Sequence, residues 1–434
     1  MSEYMRKKKK KAWYKLDNAG KLYPSIASTR RSTVFRLSAK LSEDISPESL
    51  QIALENTIER FPYYKVNLKR GMFWYYFEEA RHVPKIQKET HYPCMFLKFR
   101  KKKTFPFRVL YYKHYIHFEI SHSVADGTGA MSFLKTLLIQ YMKVHYGIYC
   151  KRLEGAKDVH KKPHPQESED AFKRYYDPSI PVPSRNKKAM HFPFPLVEKG
   201  RYIFLTGIVP VKKLKELSKA YSCTITQFIT ALYFEAIQDY INQTKTLQKH
   251  QKDKRIVINI PVDLRQLFPS QSMKNFFVSL TPEIDLRLGT YTLEELIVYL
   301  KGYMQLHYTK KNVSRYITRN VKNERILFVR ALPLYFKNLI MPYIYVKYGE
   351  KGYTTSVSNL GLVRLPDEIQ PYVEAIEFYP APSEVNKIKM CLCSYKDHCY
   401  ISFGKTINST EIEKIFFRKL RKLGVPIRIE TNQD

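Results

Sequence analysis

The apolar periodicity of this chain stops at about Lys151 and resumes at about Gly200. The stretch between, which includes AKDVHKKPHPQESEDAFKRYYDPSIPVPSRNKK, is rich in Pro, Lys, Glu and Asp. Such a break reads as a linker between two folding units. It assigns residues 1–150 to an N-terminal unit, 151–200 to the linker and 201–434 to a C-terminal unit. At 434 residues the chain is also longer than one ordinary hydrophobic core organises.

Both sides of the break mix helices with strands. In the first half, STVFRLSAKL (Ser32–Leu41) reads as a strand. SPESLQIALENTIERFP reads as a helix with Ser46 as N-cap, Pro47 at the first helical position, and Leu50, Ala53, Leu54, Thr57, Ile58 and Phe61 on one face. YYKVNLKRGMFWYYFEEA predicts a hairpin turning near Arg70 and Gly71, and PFRVLYYKHYIHFEISH one turning near Lys113 and His114. A helix is expected from about Met131 to Tyr146. In the second half, the strand RYIFLTGIVP precedes the amphipathic helices VKKLKELSKAY and TITQFITALYFEAIQDYI. RIVINIPVDLR is a nearly continuous apolar strand ending in Asp263 and Arg265. TLEELIVYLKGYM opens with a capping box, Thr292 with Glu295; TTSVSNLGLVRLP and VEAIEFYPA read as strands. The last helix, TEIEKIFFRKLRKLG, shows a second capping box in Thr410 and Glu413, with Gly424 as its stop. The class is α/β (α+β), with mixed sheets flanked by helices.

The formal charge is +34, from 74 Lys and Arg against 40 Asp and Glu. A surplus of this size attracts polyanions: nucleic acid, an acidic membrane surface or phosphorylated small molecules. Two short runs, Arg6–Lys11 and Lys98–Lys103, read as solvated surface. No nucleic-acid motif, glycine-rich phosphate loop or G-x-S-x-G elbow is present, and nucleic acid is not expected as a partner. Of the six cysteines, Cys391, Cys393 and Cys399 lie in KMCLCSYKDHCYISF, a hairpin turning near Lys396 and Asp397. That turn sets Cys399 opposite Ser394, on the other face from Cys391 and Cys393, so the three thiols do not converge and no metal is expected. Free thiols, and a basic N-terminus with no apolar h-region in AWYKLDNAGKLYP, point to a reducing cytoplasm. ILFVRALPLYFKNLIMPYIYV (Ile326–Val346) is long enough to cross a bilayer, but it carries Arg330, Lys337 and two prolines. It reads as buried helices or a tunnel wall, with contact to an anionic membrane surface as the alternative.

The candidate chemistry lies in EISHSVADGTGAMSFLKTLL. An apolar strand ends at His122, Asp126 and Gly127 follow, and an apolar helix comes next. A strand end can aim a side chain into a cleft, and an imidazole near its ordinary pKa can take a proton from a hydroxyl, amine or thiol. Gly127 and Gly129 allow the positive φ of a tight loop, or the close approach of a substrate. The motif holds no protein nucleophile, so His122 would activate a substrate group directly. The competing reading is a hydrogen-bonded histidine that closes a strand.

SHSVADGTGAMSFL also resembles the H-x-x-x-D-G motif of the superfamily of chloramphenicol acetyltransferases, non-ribosomal peptide condensation domains and alcohol O-acetyltransferases. SPESLQIALENTIERFPYYKVNL, INIPVDLRQLF, SMKNFF and SVSNLGLVRLP resemble further segments of that superfamily in the same order, from about Trp13 to Ile429. The closest form is the bacterial alcohol O-acetyltransferase-like group. The resemblance implies two chloramphenicol-acetyltransferase-like subdomains in a V, with a channel at their interface and His122 near its middle. It implies an acyl-CoA co-substrate, no permanently bound cofactor, and an alcohol or amine acceptor whose proton His122 removes. Asp126 would point away from substrate and pair with Arg265, holding the loop with Gly127. Ser358 and Asn359, which match S-N-x-G, are candidates for oxyanion contact or channel lining, against a turn or bulge with Gly361; Asn275 is a further channel candidate.

Two departures qualify the resemblance. Ser121 stands where condensation domains carry a first histidine, which favours a single-histidine acyltransferase, and Lys274 stands where many relatives have glycine. The expected function is transfer of an acyl group, acetyl first, from coenzyme A to an alcohol. The alternatives are a condensation-type enzyme served by an acyl carrier protein, and a non-catalytic polyanion- or membrane-binding protein of the same fold.

Overall fold

A computed structural model of the chain describes residues 12–29, 31–98, 104–244 and 254–433. The basic run Arg6–Lys11 and most of the run Lys98–Lys103 lie outside the described residues.

The strand Val34–Leu41 alternates two environments. Phe35, Leu37, Ala39 and Leu41 enter a core beneath two helices, while Arg36 and Ser38 face the other way. The first helix, Pro47–Arg60, is capped by the Ser46 side chain, which accepts from the Ser49 amide. Its predicted apolar face, Leu50, Ala53, Leu54, Thr57, Ile58 and Phe61, is wholly buried. The second helix is Gly127–Tyr146. It begins four residues before the expected Met131, because Asp126 caps it and draws the two glycines into the first turn.

A five-stranded sheet carries these helices, in the order Val373–Tyr379, Val34–Leu41, Tyr115–Ser121, Phe107–Tyr112, Gln87–Lys88. The hairpin behind His122 turns at Lys113, which takes φ +47°, as the alternation required. Its edge strand Val373–Tyr379 comes from the second half of the sequence and pairs antiparallel with Val34–Leu41. A smaller sheet holds Trp13–Lys15, Tyr75–Glu79 and Val66–Arg70.

The remaining strands form one large mixed sheet, in the order Phe277–Leu280, Arg255–Asp263, Thr355–Val363, Ile388–Tyr395, His398–Lys405, Ile203–Pro210, Arg428–Thr431, with Glu283–Asp285 also paired to Arg255–Asp263 off this path. Thr355–Val363 runs parallel to both of its neighbours, and the other pairs along this path are antiparallel. The helices Ile225–Gln243, Leu293–His307 and Glu411–Lys422 cover it through a second core. The cysteine hairpin turns at Lys396 with Cys399 opposite Ser394, in the expected register.

The segment between the halves is ordered against both. Glu167 is buried and receives both terminal nitrogens of Arg60 at 2.7 and 2.8 Å, and Phe172 packs in a third cluster with Phe276. Two expectations change. Thr410 makes no capping bond, because Glu413 is withdrawn from it and buried against Lys405 at 3.2 Å. Between Ile326 and Val346 only Leu334 and Lys337 are buried, so the segment is not a buried helix pair.

The two caps therefore differ in weight. Ser46→Ala is expected to cost about 1 kcal/mol in urea unfolding. Thr410→Ala should stay within about 0.5 kcal/mol, the range of an ordinary surface change. Equal losses at the two positions would contradict the assignment.

Candidate active site

His122 sits one residue beyond the strand Tyr115–Ser121, at the rim of the first core. Its amide donates to the Thr33 carbonyl at 2.9 Å, and its own carbonyl accepts from Asn275 Nδ2 at 2.8 Å. The ring lies against Phe35, 4.4 Å between centroids, and is stacked on Tyr23 at 5.4 Å. Phe277 of the large sheet stands 6.1 Å away. Nδ1 is buried, and the Ala125 backbone and the Asn275 side chain lie within hydrogen-bonding reach of the ring. Burial, with the charge of Lys389 adding to it, pushes the imidazole down to about 4. The ring is therefore neutral at pH 7 and holds a free lone pair.

Asp126 is turned away from this ring. One oxygen caps the helix through the Gly129 amide at 3.0 Å. The other accepts from Arg265 Nη1 at 2.8 Å and from the Phe276 amide at 2.9 Å. Arg265 is saturated in turn: it also donates to Asp263 and to the carbonyls of Ser272 and Lys274. The loop is closed further by contact. A Cβ on Gly127 would stand 2.6 Å from Leu360, and one on Gly129 2.2 Å from the Met273 carbonyl oxygen. Close approach of the protein to itself, rather than positive φ, is what these glycines provide.

Asn275 is fully buried and is not a lining residue. Its Nδ2 bridges the His122 carbonyl and the Asp17 carboxylate, 3.0 Å away. Asp17 is itself buried, and burial raises it to about 7. Lys274 extends behind it, with Nζ donating to the Lys15 carbonyl at 3.0 Å.

Alternation separates the other two candidates. Ser358 is paired with Cys391, whose side chain joins the N-terminal core, so it faces the His122 side. Asn359 is paired with Leu392 of the C-terminal core and points the opposite way. Its Nδ2 donates to Thr226 at 2.9 Å and its Oδ1 accepts from the Gly361 amide at 2.7 Å. Gly361 takes φ +74° at a shift of strand register. Asn359 is thus the turn-and-bulge residue rather than a lining one.

The same alternation shows what sequence reading missed. Lys389 shares the face of Cys391 and Ser358, and Ser356, paired with Asn259, continues it. A strip of Asn259, Ser356, Ser358 and Lys389 therefore looks toward the histidine. The clue in the sequence is the lysine at an inward position of IKMCLC. Tyr23 and Asp17 had no signal, because their placement depends on the fold of the first thirty residues.

No protein-family model matches the sequence, and no curated protein does. Solved structures do match. TRI3 trichothecene 15-O-acetyltransferase from Fusarium sporotrichioides aligns over 95% of this chain and 94% of its own, with 12% identity and a TM-score of 0.60. The first condensation domain of the CDA synthetase aligns over 95% of each chain, with 11% identity and a TM-score of 0.59. F. sporotrichioides TRI101, solved in complex with coenzyme A and T-2, aligns over 96% of this chain and 99% of its own, with 10% identity and a TM-score of 0.58. The chain has the two-subdomain fold of chloramphenicol acetyltransferases and condensation domains. At these identities the likeness is one of fold.

Two outcomes follow from this geometry. Asp126→Ala removes the helix cap and one of the two carboxylates on Arg265, which keeps Asp263, so urea unfolding should show a loss of about 2–3 kcal/mol; an unchanged midpoint would refute the strut. The lowered pKa means that the ring takes up a proton only as pH falls toward 4. The NMR titration of His122 should therefore have its midpoint near 4, and a midpoint at or above the ordinary histidine value would remove the case for a buried neutral ring.

Proposed function

We propose that the protein is an acyltransferase that moves an acyl group, acetyl in the first instance, from a coenzyme A thioester to an alcohol. The observation that carries this reading is a neutral imidazole with one buried nitrogen, held by its own carbonyl and by the Asp126 loop, on a fold shared with acetyltransferases. In the proposed reaction, Nε2 of His122 takes the hydroxyl proton as the acceptor oxygen attacks the thioester carbonyl. The new C–O bond forms and the carbonyl electrons move onto oxygen. When the oxyanion collapses, the C–S bond breaks and the thiolate takes the proton back from the imidazolium. No covalent acyl-enzyme is required.

Lys389 is the proposed source of positive charge for the oxyanion, with Ser358 as hydroxyl donor on the same face. A buried cation also explains why the histidine stays neutral before substrate enters: protonation there would set two positive charges together. Coenzyme A carries several phosphate charges, and a protein of net charge +34 favours its approach.

A carrier-protein thioester as donor is the second reading, favoured by the same surplus of positive charge, which suits an acidic carrier surface. Ser121 argues against a two-histidine condensation site: it is buried and bonded to Thr33 at 2.9 Å and to Ser123 at 3.0 Å, and so serves the loop itself.

The test follows free thiol release from acyl-CoA donors against pooled alcohols and amines. His122→Ala should fold normally and lose about 10²–10⁴-fold in turnover. Lys389→Met should lower kcat by about tenfold or more with little change in KM. Turnover that is unchanged in His122→Ala would overturn the proposal.

A further inference from the structure

The segment Ile326–Gly349 exposes its apolar side. Two short helices, Leu327–Ala331 and Leu334–Ile344, lead into a π turn at Tyr345–Gly349. Leu327, Phe328, Tyr335 and Leu339 are 80, 72, 78 and 73% exposed, and Tyr343 and Tyr348 are also open. Met72 and Phe73 stand beside them, where the Leu334 amide donates to the Met72 carbonyl at 2.9 Å. So many exposed apolar side chains in one short segment differ from the single apolar residues scattered on most surfaces.

The charges around it are one-sided. From residue 310 to 349 there are nine Lys and Arg and one acid, Glu324. That acid is already engaged by Asn18, Lys21 and Lys173. Lys337, the one lysine within the second helix, is turned inward: Nζ lies 3.7 Å from the Trp74 ring centre and donates to the Phe73 carbonyl at 2.8 Å. The apolar face is thus free of charge at its centre and basic at its margins. No described helix is long and apolar enough to cross a membrane, so these helices would lie in the plane of an interface.

We propose that this face docks on an anionic lipid bilayer. The apolar and tyrosine side chains enter the headgroup region, and the flanking Lys and Arg meet the lipid phosphates. The second helix packs on the short helix Tyr23–Ile26, whose Tyr23 ring stacks on His122. The docked surface is therefore one short helix from the candidate base. An apolar acceptor drawn from the bilayer is the substrate class this implies; that clause rests on the acyltransferase reading, and the docking does not.

The test is co-sedimentation of the full chain with vesicles of phosphatidylcholine, with and without phosphatidylglycerol. Binding is expected to the anionic vesicles, to weaken as salt rises, and to fall at least about tenfold in Leu327→Ser/Phe328→Ser/Leu339→Ser. Thermal melting of that variant should match the wild type, since the three side chains support no core. Lys212→Glu/Lys215→Glu, on an exposed helix elsewhere, should retain binding. The proposal is overturned by a wild type that ignores anionic vesicles, or by a triple variant that binds as wild type does. It is equally overturned by a comparable loss in the Lys212/Lys215 variant. A wild-type dimer that becomes monomeric in the triple variant would assign the face to a second copy and also overturn it. Thiol release with a soluble alcohol reads the acyltransferase proposal separately.

Discussion

The site depends on one carboxylate. Asp126 caps the helix Gly127–Tyr146, accepts from the Phe276 amide and pairs with Arg265, 139 residues away in the chain. These bonds do different work. The cap fixes where the helix starts and so the length of the loop after His122. The arginine bond ties that loop to the end of the strand Arg255–Asp263. Because Arg265 spends its other donors on Asp263, Ser272 and Lys274, the pair is part of a closed set of bonds. Without such compensation a charged pair this deeply buried would cost more in desolvation than it returns.

Asn275 performs the complementary task from the other side. It holds the His122 carbonyl, with Asp17 behind it. The backbone that follows the histidine is thereby held to the second half of the chain and its amide to Thr33 of the first, while the ring rests against the aromatic faces of Tyr23, Phe35 and Phe277. An imidazole buried among these rings, with the charge of Lys389 near it, has little reason to be charged. Its neutrality is a property of the packing around it, and the motif His122–Gly127 alone would not have produced it.

Much of the fold was legible because its elements are locally consistent. Ser46 and Pro47 announce a helix start, Lys113 and Lys396 fall where alternation demands a turn, and Thr292 with Glu295 closes a capping box as read. The failures share a cause. Thr410 and Glu413 have the right spacing for a cap, yet Glu413 goes to Lys405, because a buried lysine is a stronger partner than an exposed amide. Ile326–Val346 has the composition of a buried helix pair, but composition does not say which neighbours exist to cover it. Asn359 and Ser358 are adjacent and similar in type, and one residue of strand pleat sends them to opposite cores.

What the amino-acid order determined alone is the set of elements, the hairpin registers, and the placement of His122 at a strand end before a helix. These rest on interactions within a few residues, where periodicity and capping chemistry suffice. The tertiary structure decided which strand entered which sheet, carrying Val373–Tyr379 from the second half to the edge of the first sheet. It also decided that Lys389 would face the histidine, and that the apolar side of Leu334–Ile344 would remain uncovered. Those outcomes depend on desolvation and on contacts between residues hundreds of positions apart, which no local pattern encodes.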